Sequence, residues 1–177
     1  MDKNRYLYWL NPKNPLFEKE VVHREMYSRV GYCFHLLQMV EYNLANILSI
    51  EEFEKVRKTS FSEKDIEFIK ERINKKYNEL SELTFGCLKN RVSKSVYLKD
   101  IDFCKLEHIV EYRNYLAHNC FKDKLLRKEL ETIDDVDAFV GELNSFEEIL
   151  SKMNDYLLCV FKDQRSKAVL MINQDSI

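Results

Sequence analysis

A chain of 177 residues, 45% apolar and 33% charged, contains only three glycines and two prolines. That length suits one domain with a buried core, and the apolar content is too high for disorder. Scarce turn residues exclude an all-β sandwich, and Gly31, Gly86 and Gly141 are too scattered for a phosphate-binding loop. The formal charge of −2, from 28 Lys and Arg against 30 Asp and Glu, gives no overall basic footprint. The sum hides an uneven distribution. Residues 86–128 carry ten basic against five acidic side chains, and residues 129–157 carry one against nine. The expectation is an all-α chain with a local basic cleft.

Five cysteines without a C-x-x-C pair, and no apolar signal core in MDKNRYLYWLNPKNP, point to reduced thiols in a cytoplasmic protein. Neither the cysteines nor the four histidines cluster tightly enough for zinc, so no metal and no cofactor is expected. No apolar run approaches the ~18 residues of a membrane span.

In chain order, residues 1–17 form an aromatic arm with Tyr6, Tyr8, Trp9 and Phe17, either packed on the body or offered to a partner. Asn11-Pro12 and Asn14-Pro15 are stop signals before the first helix. From Phe17 to Ile50, apolar residues recur at spacings of three and four and predict a long helix. Glu41 falls on that apolar stripe, where a carboxylate needs a partner. His23 and His35 read as packing residues of the same helix. A second helix begins at the N-cap Ser62, with Phe61 and Ile66 placed for a hydrophobic staple, and weakens at Phe85-Gly86. Residues 89–98 read as a basic connector. A third helix is expected from Asp100 to His118, and a fourth from Thr132–Asp134 to Phe161. Residues 18–165 then make an antiparallel bundle of about four principal helices, with room for short extra ones, and residues 166–177 a frayed tail.

The third helix carries the chemistry. Leu106, Ile109, Val110, Leu116 and Ala117 form its predicted inner stripe, and Arg113 sits within it. An arginine so placed needs a carboxylate, a phosphate or another acceptor, and Glu41 is a candidate ion-pair partner. Asn114 and His118, four residues apart, share a face, so the amide can orient the imidazole. Arg113 and His118 lie about 140° apart around an ideal helix. Two copies of the helix in one site would let them converge. Lys122, Lys124, Arg127 and Lys128 just beyond either grip RNA phosphates or form a solvated helix face. Cys120 is either a redox-sensitive thiol or a packing residue at the helix end.

Arg113-Asn114-Tyr115-Leu116-Ala117-His118 resembles the R-x4-6-H signature of the HEPN superfamily, in its four-spacer form with a polar residue after the arginine. The resemblance covers the helical body, although only these six residues are specific. It implies a metal-independent endoribonuclease, often a toxin or phage-defence protein, in which two subunits pair so that both motifs line one cleft. By that resemblance Arg113 and His118 are catalytic and Asn114 is supporting. The implied partners are an RNA substrate, a second copy of the chain, and an antitoxin or neighbouring defence protein. Some such toxins continue the motif as H-x-Y, the tyrosine being where the antitoxin modifies them. Here Asn119 and Cys120 follow His118, so that mode of control is not available. The alternatives are a non-catalytic HEPN module that binds nucleotide or RNA, and a helical adaptor in which Arg113 only pairs with Glu41.

Overall fold

Capping chemistry marks where the helices begin. In a computed structural model, which describes residues 17–56, 62–126, 130 and 132–174, the chain is all-α. Five α-helices are present among those residues: α1 (Phe17–Lys55), α2 (Glu63–Ser81), α3 (Phe85–Val92), α4 (Phe103–His118) and α5 (Ile133–Gln174). A π-helical turn, Lys122–Leu126, lies between α4 and α5. Ser62 caps α2 as expected: its hydroxyl accepts from the Asp65 N–H, and the Asp65 carboxylate accepts from the Ser62 N–H at 3.1 Å. Phe61, the expected staple residue, lies outside the described residues.

Several predicted boundaries move. The connector expected at residues 89–98 begins as helix, because Thr84 caps α3 by accepting from the Cys87 N–H. A good cap outweighs the ~1 kcal/mol cost of Gly86 inside the helix. α4 starts at Phe103 rather than Asp100, because Asp102 accepts the Lys105 N–H at 3.0 Å. A hydrogen bond from the Lys105 side chain, aided by its backbone N–H, holds the Asp102 carboxyl below its usual range. At α5, Thr132 and Asp135 form a second reciprocal capping box. That helix does not stop near Phe161 or fray at Ser166, but continues to Gln174. Lys167 pairs with Asp163 one turn earlier at 2.7 Å, an i,i+4 contact of the kind that supports an exposed helix.

The chain divides into two units, Met1–His35 with Tyr112–Ile149, and Leu36–Glu111 with Leu150–Ile177. In the first, Met26, Val30 and Cys33 of α1 are buried, as are Leu116, Cys120, Phe139, Leu143 and Phe146. The spacing of four and three along α1 is the apolar stripe of a helix with one covered face. Arg29 reaches Glu147 at 3.1 Å and Glu25 at 2.8 Å. The Cys33 thiol lies 3.9 Å from the Leu143 carbonyl, and burial pushes it up to about 12, with the Glu147 carboxylate adding to the effect. Cys33 is therefore inert. His23 is half-buried, as expected of a packing residue. His35 is not: it is exposed, with its ring against Tyr32.

In the second unit α1 changes character. From Asn43 to Ile50 every residue but Asn46 is buried, so the helix is covered all round. That burial draws in polar groups, and they are satisfied. Asn43 Nδ2 donates to Asn154 Oδ1 at 2.6 Å, and Ser49 donates to the Asn46 carbonyl. The loop after α3 is pinned to the end of α1. Ser95 donates to Glu51 and accepts from the Tyr97 and Leu98 N–H groups, and the Tyr97 hydroxyl donates to Glu54 at 2.8 Å. No helix among the described residues is long and apolar enough to cross a membrane.

Candidate functional site

The last two turns of α4 lie in the first unit and are held there by an inward row of Tyr112, Leu116 and Cys120. Leu116 and Cys120 are fully buried, and the Tyr112 ring packs against Phe146 with centroids 4.4 Å apart. Burial raises the Tyr112 phenol strongly, and the nearby Glu142 carboxylate raises it further, so Tyr112 stays protonated. Cys120 is buried as a packing residue would be, and burial also raises its thiol.

This row corrects the predicted inner stripe. Ala117 is exposed, and Arg113 lies at the edge of the buried face, half-buried. An ideal helix explains both: Tyr112, Leu116 and Cys120 fall within about 80° of arc, Arg113 sits beside that arc, and Ala117 falls outside it. The Arg113 Nη1 donates to Asn114 Oδ1 at 3.3 Å. No carboxylate of its own unit pairs with Arg113 among the described residues. Glu41, the expected partner, is half-buried and belongs to the second unit.

His118 is the last residue of α4 and is exposed. Asn114 is exposed too, and the hydrogen bond found for it runs to Arg113, not to the imidazole as expected. The amide thus positions the guanidinium. After His118 the helix is interrupted at Asn119, although the Asn119 N–H still reaches the Tyr115 carbonyl at 2.9 Å. The chain then winds into the π turn. Such turns are rare, and they free a local backbone to re-aim side chains.

The basic residues beyond the motif separate. Lys122 is exposed, whereas Lys124 is half-buried with its Nζ 5.1 Å from the centroid of the Phe139 ring. Arg127 and Lys128 lie outside the described residues, as do Tyr6, Tyr8 and Trp9 of the aromatic arm. Next to the π turn, Phe121 stacks on Tyr27 with centroids 5.9 Å apart, and both residues are partly exposed, at 42% and 47%. Among the described residues no group of three or more His, Cys, Asp or Glu side chains is arranged to hold a metal ion.

The arrangement offers two chemical functions. A half-buried guanidinium steadied by an amide can take a phosphate on its free N–H groups. An exposed imidazole at a helix end can exchange a proton with a bound group. On an ideal helix their positions lie about 140° apart.

A second feature has no counterpart in the predicted site. In the second unit, the end of α1, α2 and α3 enclose an open trough lined by several lysines and arginines. Its sequence signal is the spacing of Arg72, Lys75 and Lys76 on α2 and of Arg91 and Lys94 after it, three or four residues apart. Reading residues 89–98 as a connector concealed it. No family model matches the chain, and no curated protein or solved structure matches it either.

Proposed function

We propose that the chain is a metal-independent endoribonuclease of the HEPN type, acting in the cytoplasm as a homodimeric toxin or defence enzyme. The observation that supports it best is the state of Arg113: half-buried, steadied by Asn114, and not consumed by a carboxylate of its own unit, five residues before an exposed histidine. In this reading the RNA 2′-hydroxyl attacks the adjacent phosphate and the 5′-oxygen leaves. One His118 takes the hydroxyl proton and then returns it to the leaving oxygen. Arg113 holds the phosphate and stabilises the charge of the pentavalent transition state. A 2′,3′-cyclic phosphate and a 5′-hydroxyl are the products, with one proton taken up and one given back.

The divergence of the two side chains favours a second reading, in which the module grips RNA or a nucleotide without cutting it. One experiment separates the two. Purified protein is incubated with RNA in EDTA beside Arg113→Ala and His118→Ala variants. Cleavage by the parent, reduced at least a hundredfold in both variants, is expected. Binding without cleavage establishes the second reading. Cleavage that survives in His118→Ala refutes the mechanism.

A further inference from the structure

The trough of the second unit consists of two adjoining depressions of about 630 and 380 Å3, which share Glu52 and Lys76 in their walls. Its walls carry six cations, Lys55, Arg72, Lys75, Lys76, Arg91 and Lys94, against three carboxylates. Each carboxylate is already engaged. Glu52 is held by Lys55 at 2.5 Å and Arg72 at 2.8 Å, and Glu79 by Lys76 at 3.0 Å. Glu51 accepts from the Ser95 hydroxyl and the Val96 N–H. Burial alone would raise Glu52, but the two cations outweigh it and keep the carboxyl below its usual range, so it remains charged and paired.

What is left over is positive. Lys75, Arg91 and Lys94 are exposed, and among the described residues none of them makes an ion pair. Leu48, Leu80 and Leu83 add apolar surface to the depression that holds Arg91 and Lys94. At the far depression the Phe68 ring is 50% exposed, with the Arg72 guanidinium 5.8 Å from its centroid. Both depressions are open to solvent. A small-molecule site encloses most of its ligand, so an open trough suits a strand that lies along it. Repeated cations suit a repeated anion. An exposed ring beside them suits an unstacked base, which a duplex would hide.

We propose that this trough binds a stretch of single-stranded RNA, its phosphates on Lys75, Arg91 and Lys94 and a base on Phe68. The choice of RNA over another polyanion rests on the ribonuclease reading. The trough itself belongs to different residues from the Arg113 motif, so the two are tested apart.

The test uses the full chain and a 2′-O-methyl oligoribonucleotide of about 12 residues, a length within the range of single-strand sites, which cannot be cut by its own 2′-oxygen. Binding is followed by fluorescence anisotropy across a salt series. In a Lys75→Gln/Arg91→Gln/Lys94→Gln variant, affinity at low salt is expected to fall at least tenfold, with the slope of log K against log salt reduced by about 2. Phe68→Ala is expected to lose about tenfold without changing that slope. All four side chains are exposed, and circular dichroism checks that the fold persists. A triple variant that binds as the parent does, or a parent that does not bind, overturns the proposal. So does displacement of the RNA by an equal charge of polyglutamate, which would make the trough a docking face for an acidic protein. An unmodified oligonucleotide keeps the two readings distinct. Cleavage by the parent with undiminished binding by the triple variant rejects the trough and leaves the ribonuclease standing. Trough-dependent binding without cleavage does the reverse.

Discussion

Asn43 and Asn154 are 4% and 7% exposed, and the 2.6 Å hydrogen bond between their amides is a polar contact inside the apolar core of the second unit. Such a pair is costly to break from one side. Asn43→Leu alone removes the donor and leaves the Asn154 carbonyl oxygen buried without it, at a cost of about 2 kcal/mol. The Asn43→Leu/Asn154→Leu double variant removes both polar groups and is expected to lie within about 1 kcal/mol of the parent. Urea unfolding of the four proteins measures the coupling. Additive losses in the double variant would show that the two amides are satisfied independently. The same scale explains what sequence reading recovers and what it misses. Arg113 and His118 stand out as candidates because their types and spacing form a motif. That Asn114 would serve the guanidinium rather than the imidazole is not legible, since i,i+1 and i,i+4 neighbours compete for one amide and rotamers decide. Asn43 carries no warning at all: its burial comes from α1 being covered all round, which periodicity does not encode.

Helix existence is legible and helix boundaries are partly so. α1, α2, α4 and α5 follow from apolar spacing, and Ser62 follows from a cap that needs only a hydroxyl and a carboxylate three residues later. α3 is missed because eight residues are too few for a periodic pattern, and because Gly86 reads as a stop. α5 is cut short because Ala168, Val169, Leu170 and Met171 in its last turns form one continuous run without helical spacing and are not buried, while the Lys167–Asp163 i,i+4 pair supports the stretch. Glycine gives the test at this scale. Gly31 lies inside α1, is exposed, and has open space where a Cβ would stand. Gly31→Ala is therefore expected to stabilise the chain by about 0.5–1 kcal/mol, through higher helix propensity and a less mobile unfolded state. Thermal or urea unfolding reads the change. A loss of stability instead would mean that this face is closely approached in solution, since nothing among the described residues approaches it.

At the scale of the molecule, the formal charge of −2 is a sum over opposed segments, and the structure divides the positive part further. Lys122 stands exposed beyond the motif, Lys124 is spent on the Phe139 ring, and Arg91 and Lys94 line the trough of the other unit. The segment totals suggested a single basic cleft; Lys122 and Lys124 belong to one unit and Arg91 and Lys94 to the other, an assignment that linear charge counts merge. Whether a site assembles from two copies of the chain is also beyond any count, but the helix geometry makes it testable. At 100° per residue the positions of Arg113 and His118 stand about 140° apart, so a site that uses both should take each from a different copy. Arg113→Ala and His118→Ala are each inactive alone in that case. Co-expressed in equal amounts, half of the dimers are mixed, and each mixed dimer holds one site with an intact arginine from one copy and an intact histidine from the other. Roughly a quarter of the parent rate should return, measured as RNA cleavage by the mixture against either variant. If both residues came from the same chain, every mixed dimer would have two broken sites and the mixture would stay inactive. A mixture as inactive as its components would therefore sink the shared site, and the divergence of the two side chains would then count against catalysis by this motif.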